Sequence, residues 1–260
     1  MRVFHDLSEI KGQIRNGAVT VGSFDGVHAG HRVILDKLRE TARQNDGESV
    51  VVTFSPHPRQ VLHPEDRSLR LLNSPEEKTL LLEQAGIDNL FIVRFTPEFS
   101  RLSSEEFARR YLLEGIGAKT IVMGYNHHFG HGREGNRDYL ESLKQTYDFQ
   151  VFQLPKHDVA EQKVSSTVLR FLIASGQLDE ANKLLGAPYF LIARRGECGL
   201  LDYDEPAKLL PPEGIYPVNV DSGESTVDTN LIVMSDNRLG LPISAQSLCQ
   251  PGQKLIVRFK

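Results

Sequence analysis

The sequence predicts an α/β fold, a parallel sheet with helices on both faces, followed by a small β-barrel-like domain. Three observations carry this expectation. Short apolar runs alternate with segments of helical period from Ala18 to about residue 185. Loops with polar or proline-rich content follow four of those runs. From Gly186-Ala187-Pro188-Tyr189 onward the helical period stops, and short strand-like segments separated by Pro, Gly, Asp and Ser take its place. The boundary is placed at Gly186, with one domain over 1–186 and a second over 187–260.

Residues 1–17 read as an edge strand and a short helix. Residues 18–22 form a short run around Val19 and Val21, as expected of a buried parallel strand. Gly22, Gly26 and Gly30 then break the chain, and Val33, Ile34, Leu35 and Leu38 recur at helix spacing. Residues 49–54 (SVVVTF) form a near-continuous apolar strand. Over 75–85 a helix is expected, because Ser74 and Glu77 stand as a capping box before Leu80, Leu81 and Leu82. Residues 89–95 are the next strand. The helix over 103–113 has Ser103 as cap, Glu106 three positions on, and Phe107, Tyr111 and Leu112 as its buried stripe. Strands over 119–123 and 149–154, a helix over 137–147 and another from Ser166 complete the first domain. In the second, strands are expected over 189–194, 214–220, 226–234 and 254–259.

Ligands of such sheets gather at the carboxyl ends of the strands. Strand, glycine-broken turn and helix bring free N–H groups and the positive end of a helix dipole to one point, a ready site for phosphate. His28 and His31 sit in that turn, three residues apart, as its expected cations. Neither Gly-x-Gly-x-x-Gly nor Gly-x-x-x-x-Gly-Lys-Ser/Thr occurs, so a dinucleotide fingerprint and a P-loop are poor readings. Zinc on the two histidines lacks a nearby cysteine. After 149–154 comes Ser165-Ser166-Thr167, which caps a helix, with Arg170 one turn in, where a guanidinium grips phosphate through two bonds. His127, His128 and His131 form a second cluster with the look of a zinc site, in surroundings without aspartate.

At 260 residues, 40% hydrophobic and 25% charged, the composition is that of a soluble globular protein. A net charge of -4 and a pI near 6.1 argue against a general nucleic-acid or membrane-surface binder. Cys198 and Cys249 set up no disulfide framework and are expected to stay reduced. The first residues carry charges where a signal peptide needs its apolar stretch, and no apolar run approaches the ~20 residues needed to cross a bilayer. A cytoplasmic location is expected.

The run from Gly22 to His31, Gly-Ser-Phe-Asp-Gly-Val-His-Ala-Gly-His, resembles the His-x-Gly-His signature of nucleotidylyltransferases. In its Gly-x-Phe-Asp-Gly form it resembles the bacterial FAD synthetase family, the prokaryotic riboflavin kinase/FMN adenylyltransferases. Val164-Ser165-Ser166-Thr167-Val168-Leu169-Arg170 is similar to the second triphosphate signature, Ile-Ser-Ser-Thr-x-x-Arg. Val52-Thr53-Phe54-Ser55-Pro56-His57-Pro58 resembles the stretch leading to that family's flavin loop. Gly124 to Gly130 with Arg133 and Gly135 resembles its Gly-x-Asp-Phe-x-Phe-Gly…Arg-x-Gly segment, with Asn126 and His127 replacing the acid and first aromatic. Pro212-Glu213-Gly214-Ile215-Tyr216 is similar to a strand of the riboflavin kinase barrel. The kinase's Gly-Phe-Pro-Thr-Ala-Asn stretch has no counterpart: Cys198-Gly199-Leu200-Leu201-Asp202-Tyr203-Asp204 stands there, and Thr229-Asn230 is adjacent rather than spaced. The resemblance covers Val19 to about Tyr189 well and the rest in outline.

The resemblance implies a Rossmann-like nucleotidylyltransferase sheet and transfer of AMP from ATP to FMN, giving FAD and pyrophosphate. It implies His28, His31 and Arg170 as catalytic residues. ATP would meet Gly22, Ser23, Phe24, Asp25, His28, Gly30, His31, Ser165, Ser166, Thr167 and Arg170. FMN would meet Phe54, His57, Pro58, Asn126 and Arg133. Mg²⁺ is expected with ATP, held largely by its phosphates, with no metal site on the protein. The barrel is expected not to phosphorylate riboflavin. Two other readings compete: adenylyl or cytidylyl transfer to another phosphate, and a flavin- or nucleotide-binding regulator without turnover. No nucleic-acid or membrane partner is expected.

Overall fold

Six strands run parallel in one sheet: β1 (Arg2–Phe4), β2 (Gly17–Val21), β3 (Ser49–Ser55), β4 (Asn89–Arg94), β5 (Ala118–Met123) and β6 (Gln150–Gln153). Their spatial order is β1-β4-β3-β2-β5-β6. The structure is a computed structural model, described over residues 1–66, 68–155, 164–196, 199–203, 207–242 and 250–260. Cys198, Cys249 and Asp204 lie outside the described residues. All five residues of β2 are buried, as are the first five of β3, which is why these strands read as unbroken apolar runs. The chain leaves β2 toward β3 on one side and later sets β5 against its other side. The order thus reverses at β2, where parallel sheets open a crevice at their carboxyl ends.

Helices Ala29–Gln44, Pro75–Gln84 and Arg137–Leu143 flank the strands in sequence. The helix expected to end at residue 113 begins as Ser104–Phe107 and continues in π register over Ala108–Ile116. It stops where Gly117, at φ 76°, supplies a left-handed cap. The helix expected to reach 147 ends at Leu143, whose carbonyl accepts from the amides of both Thr146 and Tyr147. Val19, Val50, Val52, Phe91, Phe107 and Ile121 belong to the core of this part.

The second part is a closed barrel of β7 (Phe190–Arg195), β8 (Leu200–Asp202), β9 (Gly214–Asp221), β10 (Thr226–Val233), β11 (Leu239–Gly240) and β12 (Lys254–Phe259), in the order β10-β11-β8-β7-β12-β9. All its pairings are antiparallel. β8 and β11 were not anticipated, because two or three residues carry no readable period. Packing divides the chain into two compact units: 1–24, 30–69 and 79–163 form the first, and 25–29, 70–78 and 164–260 the second. Helices Ser166–Ala174 and Leu178–Leu185 go with the barrel, since Leu169, Ile173, Leu178 and Leu185 share its core with Leu191, Val218 and Phe259. Among the described residues no helix is long and apolar enough to cross a membrane.

Candidate active site

β2 ends at Val21, and Gly22 still donates its N–H to Val52 O at 3.0 Å. A Cβ on Gly22 would stand 2.9 Å from the ring of Phe24, so the ring folds back over a position that only glycine leaves open. Phe24 (φ 46°), Gly26 (93°) and Val27 (39°) are all left-handed. Left-handed backbone is strained for a β-branched valine, and such strain persists only where surrounding contacts over-determine it.

Here the contacts are explicit. The buried carboxylate of Asp25 accepts from Leu72 N at 3.0 Å, Asn73 N at 3.1 Å and the Arg170 guanidinium at 2.6 Å. Asn73 Oδ1 accepts from Gly26 N at 3.0 Å, and Ser166 Oγ donates to Asp25 O at 2.8 Å. Ser165 caps its helix by accepting from Val168 N at 3.3 Å, while Thr167 is exposed in its first turn. Residues 25–29 and 164–170, far apart in sequence, thus meet through Asp25. Arg170 also donates from Nε to Arg70 O at 2.7 Å.

Helix Ala29–Gln44 starts directly after His28 with no acidic residue in its first turn, where Gly30 is buried and His31 partly so. The ring of His31 lies 5.1 Å from that of Phe24. His28 corrects an expectation. Burial pushes its pKa down to about 4, with the Asp25 charge opposing less strongly, so at neutral pH it is a neutral imidazole and not a cation. The Phe24 side chain is taken up in packing, which leaves its backbone for the contact expected of it. The Asp25 carboxylate is likewise turned inward as a clamp.

A cavity of about 520 Å³ opens at the carboxyl ends of the strands in the first unit. Val21, Gly22 and Ser23 line one side, with Ser23 O accepting from Thr53 Oγ1 at 3.2 Å. Phe54, Phe95, Phe99 and Phe107 line another, meeting edge to face or tilted with centroids 5.4 to 6.0 Å apart. His127, Phe129 and Arg133 close a third. The ring of His127 stacks on Phe129 at 6.2 Å, and burial, aided by the charges of His128 and Arg133, pushes its pKa to about 4. Such a wall suits a flat aromatic ligand, with one cation at the rim.

Of the residues expected at FMN, Phe54, Pro58 and Arg133 line this cavity. His57 does not: its Nδ1 accepts from Arg59 N at 3.2 Å and caps helix Pro58–Leu62. Asn126 is exposed on a turn outside the wall. Phe95 and Phe99 were missed, since spacing alone does not reveal which aromatics converge from different elements. Among the described residues no group of three His, Cys, Asp or Glu side chains is placed to hold a metal ion. The acid of the turn, Asp25, is already engaged by two amides and a guanidinium, so it does not fit a metal.

A family model described as FAD synthetase matches residues 10–168. The FAD synthetase of Listeria monocytogenes serovar 1/2a is 34% identical over 219 residues, covering 83% of this chain and 85% of that one. The bifunctional riboflavin kinase/FMN adenylyltransferase of the same organism is 35% identical over 174 residues, 67% of this chain and 55% of its own length. That of Pseudomonas fluorescens is 31% identical over 230 residues, covering 85% and 73%. The chain therefore spans about half the length of the Listeria bifunctional relative. A crystal structure described as a macrolide-efflux protein from Streptococcus pneumoniae superposes with a TM-score of 0.77 at 24% identity, over 99% of this chain and 88% of the other; that likeness is one of fold. With more than half of its residues matched by the family model, this chain belongs to the FAD synthetase family.

Proposed function

We propose that the protein makes FAD by transferring AMP from ATP to FMN. A phosphate oxygen of FMN forms a bond to the α-phosphorus of ATP while the bond from that phosphorus to the β-phosphate bridging oxygen breaks, and pyrophosphate leaves. The nucleophile is already anionic, so no general base is needed, and catalysis is alignment plus stabilisation of charge on the phosphoryl oxygens. The observation that supports this best is the Asp25–Arg170 pair, which joins the histidine turn to the Ser165–Ser166 helix start. In this reading His28 donates as a neutral imidazole, and His31 and Arg170 face the developing charge. Gly22 to Asp25, Gly30, Ser165, Ser166 and Thr167 surround the nucleotide, mostly through backbone and hydroxyl groups. The aromatic cavity takes the flavin, with Arg133 as its cation. Mg²⁺ accompanies ATP as part of the substrate, held by phosphate oxygens.

This reading assigns adenylyl transfer to residues 1–186 and a shortened kinase-like sequence without kinase activity to 187–260; helices Ser166–Ala174 and Leu178–Leu185 go with the former by function and with the barrel by packing. In β10 Thr229 is half-buried and Asn230 exposed, as neighbours on opposite faces of a strand must be, so the two do not share a ligand. The substrates are small molecules of the cytoplasm, with no nucleic-acid or membrane partner. The test is incubation with Mg-ATP and either FMN or riboflavin, with product identification. FAD from FMN and no product from riboflavin is expected. Binding of both substrates without pyrophosphate release would favour a regulator, and turnover only with another phosphate acceptor would move the substrate class. FMN appearing from riboflavin as fast as FAD appears from FMN would defeat the assignment of the barrel.

A further inference from the structure

The segment ahead of β9 carries Lys208, whose side chain is only 1% exposed. Its ammonium meets Glu77 Oε2 at 2.6 Å and donates to Leu72 O at 2.7 Å and Phe190 O at 2.8 Å. It also stands 4.4 Å from the ring centroid of Tyr189. Glu77 is equally buried, accepting from Ile192 N at 2.8 Å and, as the far end of its capping box, from Ser74 N at 2.9 Å. A buried ion pair is costly to desolvate, and a well-packed apolar pair often stabilises as much. Packing alone therefore does not account for it.

What the pair ties together does. β7 pairs with β12 over 190–194 but with β8 only at Arg194 and Arg195. Ile192 N and Phe190 O find their partners in Glu77 and Lys208. Beside them, Leu71 N donates to Ala207 O at 2.7 Å and Leu209 N to Leu71 O at 2.8 Å, a short parallel bridge. The next donors along that segment, Leu72 N and Asn73 N, are those that hold the Asp25 carboxylate. The two backbone groups of Leu72 thus link Lys208 to Asp25 through a single residue.

We propose that Lys208 and Glu77 are positioning residues for the nucleotide. They fasten residues 71–73 to the barrel, and that segment holds the left-handed turn in the shape that receives the phosphates of ATP. The barrel then serves adenylyl transfer as a mechanical support. This rests on the reading of the turn as the ATP site.

Lys208→Met alone strands a buried carboxylate, so the deciding variant is the full chain with Lys208→Met and Glu77→Gln together. It removes both charges and keeps an acceptor for Ser74 N. Two readouts are taken at a temperature where circular dichroism shows wild-type helix and strand content. Amide exchange at Leu72 and Asn73 should quicken. The KM for ATP should rise about tenfold or more, with the KM for FMN unchanged. A merely structural pair would lower the melting temperature and leave the ratio of the two KM values alone. An unchanged ratio or unchanged exchange overturns the proposal. If the double variant does not fold, Glu77→Asp, which keeps the charge and shortens the reach to Lys208 and Ile192 N, is read the same way, with smaller shifts expected and no shift overturning it. If the wild type makes no FAD, the adenylyl-transfer reading falls separately, and calorimetric titration of ATP into wild type and variant decides: weakened affinity supports the proposal and equal affinity overturns it.

Discussion

The buried neutral state of His28 makes folding stability depend on pH in a definite direction. Its pKa is held at about 4 in the folded protein against an ordinary 6.5, the largest cause being burial. In the unfolded chain it takes a proton as the pH falls through 6.5, while the folded chain resists until about 4. The contribution is therefore fully present above pH 6.5 and lost progressively between 6.5 and 4. Each pH unit of that window corresponds to about 1.4 kcal/mol, so roughly 3 kcal/mol is at stake across the window and about 2 kcal/mol between pH 7 and pH 5. The assay is urea unfolding of wild type and His28→Gln at a series of pH values. The variant cannot charge at this position, so the stability difference between the two proteins should shift by about 2 kcal/mol in the variant's favour from pH 7 to pH 5. Parallel curves would refute the argument, as would a His28 ring resonance titrating near 6.5. The same burial predicts that ATP binding near pH 6 takes up a proton, because phosphate charge beside the imidazole raises its pKa.

Further variants separate the two substrates. His31→Ala should lower turnover about 10²- to 10³-fold with little change in FMN affinity, measured as FAD formation and flavin titration; near-normal turnover would remove it from the charge-stabilising role. Arg170→Lys replaces a fork holding both Asp25 and Arg70 O by a point charge, so the KM for ATP should rise about tenfold or more with FMN affinity unchanged; the reverse pattern would assign Arg170 to the flavin. Arg133→Gln, at the cavity rim, should weaken FMN and spare ATP, read by the two KM values. Gly26→Ala would put a methyl 2.6 Å from Leu72 Cδ1 at φ 93°, and should destabilise by about 1–3 kcal/mol in thermal unfolding.

Features set by neighbours in sequence were legible beforehand. Ser74 with Glu77, Ser103 with Glu106, and Ser165 cap their helices as the spacing predicts, because a cap needs only residues three positions away. The parallel sheet was legible for a similar reason: strands buried on both faces announce themselves as β2 and β3 do. The site was legible as motifs but not as contacts. Asp25 stood inside a recognisable run, yet its role as a clamp depends on Leu72, Asn73 and Arg170, 47, 48 and 145 positions away. Lys208 carried no local signal at all, since its partners come from Glu77, Leu72 and Phe190. His57 shows the opposite case: its Nδ1 caps the helix it precedes, a local role that a histidine before a proline does not announce.

The long reach of the Asp25 clamp has a consequence for synthesis. Asp25 leaves the ribosome 145 residues before Arg170, and Leu72 leaves it 136 before Lys208. At about 5–20 residues per second, roughly 7 to 30 s separate Asp25 from its guanidinium partner. All six strands β1 to β6 are complete by the end of that interval, so a nascent chain can hold its whole sheet while the histidine turn still lacks the guanidinium that completes the Asp25 clamp. The nucleotide pocket is thus a late product of translation. A chain stalled before Arg170 would carry the glycine-histidine run in full with only the Leu72 and Asn73 half of its clamp.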